Sequence, residues 1–192
     1  MKFRIKRFNI YLCIVLAFGF LCGCHTTTPE EAKEKEKEKE DKKRVAMLRV
    51  HLETNPDASK RTGPAVIRGV TFNIESAPFL TESSIKEAKV IDVVGGFEIS
   101  IQFNRQGSWL LEQYTAAGRG KHLAVFSQWT TFEEKQQLNK GRWLASPFIS
   151  THITGGLLTF TPDATREEAE HIVLGLSNQV KKLHENDLIP DP

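Results

Sequence analysis

Cysteine is almost missing from this 192-residue chain. Its three copies, Cys13, Cys22 and Cys24, all stand at or before position 24. Nothing beyond Cys24 carries a thiol, which excludes a disulfide framework, a thiolate zinc site and a cysteine nucleophile from the rest of the chain. Long apolar runs are scarce too. The one from Phe8 to Leu21, interrupted by Asn9, is shorter than the roughly 20 residues a helix needs to cross a hydrocarbon core. Charge of one sign is lacking: 26 basic residues face 24 acidic ones, and no basic stripe of the kind nucleic acid requires is present. Metal-ligand spacing is missing among His51, His122, His152, His171 and His184. Ser108, Ser127 and Ser150 lack the Gly-x-Ser-x-Gly setting of a nucleophile elbow. The pairs Gly95-Gly96 and Gly155-Gly156 are too short to cradle a phosphate. The acids Asp163, Glu167 and Glu168 cluster where a helix N-terminus favours negative charge on structural grounds alone. Together these absences argue against catalysis and for a chain with no metal and no cofactor.

What is present begins with Lys2, Arg4, Lys6 and Arg7 ahead of the apolar run, the order of an export signal. Its end, Leu21-Cys22-Gly23-Cys24, resembles the lipobox of bacterial lipoproteins. There, a branched apolar residue and a small residue precede an obligatory cysteine. The resemblance implies cleavage before Cys24 and lipidation of Cys24, so that residues 1–23 form the signal and the membrane is reached through acyl chains. Each buried methylene of such a chain contributes about 0.8 kcal/mol of membrane affinity. Loss of residues 1–23 leaves 22 basic against 24 acidic side chains. By the same resemblance His25, which is not acidic, favours the outer membrane, facing the periplasm.

From Glu30 to Arg44 seven acids and seven bases nearly alternate. A segment with so little to bury must be solvated. Glu34 with Lys37 and Glu36 with Lys39 have the spacing of weak helical ion pairs. Residues 24–44 are therefore expected to be a charged tether, semi-rigid at most, ahead of a domain at residues 45–192.

That domain alternates periods. Leu48, Val50 and Leu52 mark a half-buried strand. Asn55 to Pro64 is turn-rich. Ala65 to Glu75 reads as one strand with a bulge or bend at Gly69, and Ile85–Val94 with Phe97–Phe103 as a hairpin closed by Gly95-Gly96. Asn104 caps a helix that runs to Ala117 with Trp109, Leu110, Gln113, Tyr114 and Ala117 on one face, stopped by Gly118 and Gly120. Lys121–Gln128 is a strand; Thr130–Lys140 is a short helix or a long hairpin loop. Trp143–Phe148 and Leu157–Thr161 are further strands, with Pro147 at an edge. Thr165-Arg166-Glu167-Glu168 is a capping box opening an amphipathic helix through Ala169, Ile172, Val173, Leu176, Val180 and Leu183. The class is α+β: a mixed, largely antiparallel sheet with two main helices packed on one face.

Five landmarks occur in order: the helix ending Tyr114-Thr115, then Gly120-Lys121-His122-Leu123-Ala124-Val125, Ala145-Ser146-Pro147-Phe148-Ile149, Ile153-Thr154-Gly155-Gly156, and Thr165-Arg166-Glu167-Glu168-Ala169-Glu170. This series resembles the head subdomain of the first periplasmic domain of SecD, from Leu110 to Leu176 and, more loosely, from Ile85 on. The resemblance implies a domain that handles polypeptide emerging from the translocon. There are departures. Gly175-Leu176-Ser177-Asn178 stands where the family steps into membrane helices, and Phe160-Thr161-Pro162 replaces a glycine before the last helix. With no membrane-embedded acid or base, the proton-driven part of SecDF does not carry over.

The expected role is a non-enzymatic, lipid-anchored extracytoplasmic binding or assembly module assisting protein export, its partners unfolded polypeptide or Sec translocon components, with no nucleic acid. The alternative is an envelope lipoprotein that reuses the fold for an unrelated envelope partner. Trp109, Trp129, Trp143, Phe126, Phe132 and Phe148 read first as core packing, with groove lining as the alternative. For a binding surface the sequence singles out Trp129 and Phe132, aromatic in an otherwise polar stretch, and an open sheet edge near Pro147 that accepts an added strand.

Overall fold

The computed structural model describes residues 29–56, 61–133 and 136–185. The signal sequence and Cys24 lie outside these residues. Packing divides the chain into residues 1–37 and 38–192. Of the first unit, the described residues are the leading turns of helix α1 (Pro29–Lys43). The Glu/Lys tract is thus helical as far as Lys43. Proline stands at its first position, where a missing N–H costs nothing. An i,i+4 contact of 2.8 Å joins Glu38 and Lys42, and lysines occupy the last turn, where the helix dipole favours them.

The second unit takes in the end of α1 and an α+β body. Strands β1 (Ala46–Leu52), β2 (Thr62–Ile67), β3 (Val70–Glu75) and β4 (Leu80–Thr81) come first. A 3-10 turn (Glu82–Ser84), β5 (Ile85–Val93), β6 (Gly96–Phe103) and helix α2 (Arg105–Ala117) follow. The chain continues through β7 (Leu123–Glu133), β8 (Gln136–Ala145), β9 (Leu157–Phe160) and helix α3 (Arg166–Glu185). The strands form three sheets, ordered β4-β1-β7-β8, β2-β3 and β5-β6-β9, and every pairing is antiparallel.

Alternation decides which side of the four-stranded sheet is wet. Ala46, Leu48, Val50 and Leu52 of β1 and Leu123, Val125 and Trp129 of β7 enter the main core. There they meet Ala169, Ile172, Leu176 and Val180 of α3 and Ile99, Ile101 and Phe103 of β6. Helix α3 lies against β1, β5 and β7. Its capping box is formed: Glu168 N–H donates to Thr165 Oγ1 at 3.2 Å and Thr165 N–H to Glu168 Oε2 at 3.0 Å. Past its midpoint, Asn178 Nδ2 donates to the carbonyls of Asp41 and Arg44, holding α3 to the chain where α1 ends and β1 begins.

Several expectations need correction. The stretch 65–75 is not one bent strand. It is a hairpin whose two-residue turn, Arg68 and Gly69, has φ of 49° and 79°, the double positive φ of a turn that matches strand twist. In α2 the Asn104 cap forms, with Gly107 N–H donating to its side chain at 2.9 Å. The fully buried face, however, is Gly107, Leu111 and Thr115. Of the expected residues Leu110 and Tyr114 are half-buried against the core, Tyr114 stacked on Phe79 at 4.2 Å, while Trp109, 58% exposed, Gln113 and Ala117 face outward. Within 130–140 the described residues, Thr130–Glu133 and Gln136–Lys140, are strand and neither helix nor loop. They continue the β7–β8 main-chain pairing past the point at which apolar alternation stops.

Candidate functional site

The outer side of the four-stranded sheet is only partly covered. Across one row lie Thr81, Arg49, Phe126 and Trp143, and across the next Met47, Gln128 and Gly141. Arg49 and Gly141 are exposed; Met47, Phe126, Gln128 and Trp143 are half-buried. Phe126 and Trp143 meet edge to face with ring centroids 5.2 Å apart, a favoured aromatic geometry. A Cβ added at Gly141 would come within 3.3 Å of the tip of the Phe126 ring, so the glycine makes room for that ring to lie along the strand.

At one end the two-stranded sheet closes over this face. Ala65, Ile67 and Ile74 bury themselves with Ala124, and Phe72 and Trp143 pack against them. Two histidines sit in the same layer. His51, 6% exposed, has Nδ1 2.7 Å from the Glu75 carbonyl and its ring edge-on to Trp143 at 5.5 Å. Burial pulls its pKa below the usual imidazole value, opposed by the hydrogen bond to Glu75. His122 lies between Phe72 at 4.9 Å and Phe148 at 5.2 Å, and its Nδ1 is 2.8 Å from Glu53 Oε2.

Strand β8 is terminal in its sheet. Among the described residues no strand pairs with its outer side, although Asp163 N–H donates to the Leu144 carbonyl at 2.7 Å. Pro147 is not where the edge opens: its carbonyl accepts from Leu123 N–H, and Ile149 N–H donates to Lys121, so this stretch is already joined to the start of β7. The terminal strand proper is Gln136–Ala145.

The residues singled out from sequence separate. Trp129 is 2% exposed and belongs to the core, with the Arg142 guanidinium 5.6 Å from its ring; it lines no groove. Phe132 lies under the buried guanidinium of Arg44 at 5.4 Å. Ser127 is buried and donates to the Met47 carbonyl, Ser108 to that of Phe103. Glu168 is absorbed by its cap and by Arg142 at 2.6 Å. Burial pushes its carboxyl up, but the Thr165 N–H and the Arg142 charge outweigh this and the net direction is down. Among the described residues no three His, Cys, Asp or Glu side chains converge as a metal site. From sequence Phe126 and Trp143 stand only among the aromatics that pack or line a groove. That they join Met47 and Arg49 in one face depends on strand register, which no local signal gives.

Fold and surface together define a small α+β domain of antiparallel sheets with a half-exposed aromatic face. The chain belongs to the SecDF, P1 head subdomain family, whose match covers residues 58–178 and so begins well before Leu110. It is similar in fold to a structure of SecDF described as a membrane component that enhances protein export. That likeness has 20% identity and a TM-score of 0.52 over 76% of this chain and 68% of that one. A SecDF crystal structure in a super-membrane-facing form is similar too, at 20% identity and TM-score 0.51 over 76% of this chain, but this chain covers only 20% of its length. No curated protein sequence matches the chain. Among the described residues no helix is long and apolar enough to cross a membrane.

Proposed function

We propose that this chain is an extracytoplasmic, non-enzymatic module that holds extended polypeptide during protein export, tied to a membrane by lipid on Cys24. The family match over residues 58–178 carries the export assignment. The half-exposed Phe126 on β7, next to the terminal strand β8, and Met47 one strand further in, on β1, supply the means. An extended chain gains main-chain hydrogen bonds by adding to a strand edge, and apolar side chains gain by covering aromatic ones. Such contacts are indifferent to sequence, as a handler of many substrates needs.

The test is binding of a permanently unfolded polypeptide, reduced and carboxymethylated, to the mature protein by fluorescence anisotropy. The double variant Phe126→Ser/Met47→Ser is expected to weaken binding at least about fivefold, roughly 1 kcal/mol, with the unfolding midpoint little changed. Equal binding by both proteins would overturn the surface assignment. Co-purification with translocon subunits from detergent extract supports the export role; recovery of peptidoglycan or another envelope component instead would favour reuse of the fold for an unrelated partner. For the anchor, intact mass of the mature protein and fractionation of Cys24→Ser are decisive. Lipid mass is expected on the first and release from the membrane for the second. The membrane that receives the lipid, proposed to be the outer one, is read from the same fractionation.

A further inference from the structure

The β2–β3 hairpin is built differently from the rest of the body. It is a sheet of its own, and its apolar side forms a small cluster separate from the main core. Its attachments gather at one end. An isolated bridge joins Ile74 to Glu53, Thr54 N–H donates to the Asn73 carbonyl at 2.8 Å, Asn73 Nδ2 donates back to Thr54, and His51 meets the Glu75 carbonyl. At the other end Ile67 still packs into the small cluster, and the polar attachment of the turn among the described residues is Arg68, whose side chain is 52% exposed and reaches the Thr161 carbonyl at 3.4 Å and Asp163 at 4.0 Å. Val66 and Val70 near that turn are 60% and 54% exposed. A unit with a small separate core, a firm base and a weak tip is one that opens locally at less cost than global unfolding.

We propose that the β2–β3 hairpin is a lid that lifts as a unit from the outer face of the four-stranded sheet, and that charging of His51 at its base promotes the lift. Lifting uncovers Ala124 and Trp143 and extends the face begun by Phe126. His51 is covered by this layer, and an imidazolium there is penalised by burial and by Arg49 on β1, with only Glu75 on β3 in its favour. Its other neighbour, Trp143 on β8, carries no charge. Once the hairpin lifts, water solvates the ring and the penalty disappears. The lid is inferred from packing alone and stands whether or not the export assignment does.

Hydrogen exchange of the mature protein, read by mass spectrometry and corrected for intrinsic rates, tests both halves. Peptides covering 62–75 are expected to exchange through a lower-energy opening than those of β1 and β7. Arg68→Ala should speed the first set only. Between pH 7.5 and pH 5.5 the hairpin opening is expected to rise by up to about tenfold, the ceiling for one imidazole that is uncharged when covered and titrates near 6.5 when free. His51→Gln, whose amide still donates to the Glu75 carbonyl, should remove that rise while leaving the protection at pH 7.5. Exchange of hairpin and sheet as one cooperative unit would overturn the lid. A pH response that survives in His51→Gln would overturn the role of the histidine.

Discussion

One carboxylate oxygen of Glu53 serves two donors of His122: Oε2 lies 2.7 Å from the backbone nitrogen and 2.8 Å from Nδ1. Glu53 also bridges to Ile74 in the hairpin, so three chain segments meet on it. Both side chains are about one-third exposed, which limits the ion-pair share and leaves the hydrogen bonds as the main contribution. Glu53→Ala is expected to lower stability by about 1–3 kcal/mol, measured by urea unfolding. A double-mutant cycle with His122→Ala should return a coupling of at least about 0.5 kcal/mol. A zero coupling would show that the contact is incidental.

Stability should fall as the medium is acidified below neutrality. His51 is pulled below its ordinary pKa chiefly by burial, and His171 by burial and then by Arg44. The unfolded chain therefore binds protons that the folded one refuses. The loss begins near the ordinary imidazole value of about 6.5 and ends below each lowered folded value. Urea midpoints between pH 7.5 and pH 5 are expected to decline, and to flatten in His51→Gln/His171→Gln. A flat wild-type profile would contradict this.

Gly175 sits inside α3, where alanine normally stabilises a helix by up to about 1 kcal/mol. Here a Cβ would meet Ala46 Cβ, Ala46 N and Val45 C at 2.8 Å, mostly backbone that cannot step aside. Gly175→Ala is expected to cost about 1–3 kcal/mol. A gain would mean that α3 and β1 are further apart than described.

The tryptophans should rank by burial and not by position in the polar stretch. Trp129→Ala is expected to cost about 3–5 kcal/mol, whereas Trp109→Ala, 58% exposed, should stay within about 0.5 kcal/mol. Thermal and urea midpoints of the two variants decide it.

Elements governed by short-range signals were legible beforehand. The Thr165 to Glu168 box, the Asn104 cap, the β5–β6 hairpin and the inward phase of Leu48, Val50 and Leu52 each depend on residues within a turn or two of one another. The Arg68-Gly69 turn carried a weaker signal. A lone glycine between apolar residues reads equally as a bulge or a two-residue turn, and only positive φ at both positions settles which. The candidate face carried none, because Phe126 and Trp143 are 17 positions apart in the chain and meet only through strand register.

By itself, then, the sequence determined the α+β class, the order of its two main helices and most of its strands, the charged tract before them and the absence of thiol chemistry beyond Cys24. Each follows from composition or from periodicity that neighbouring residues impose on one another. Tertiary structure alone decided that the strands divide into three sheets, that Trp129 goes inside while Phe126 stays half outside, and that His51 lies beneath a hairpin. Those outcomes depend on which segments pack together across long stretches of chain, and local chemistry leaves that choice open.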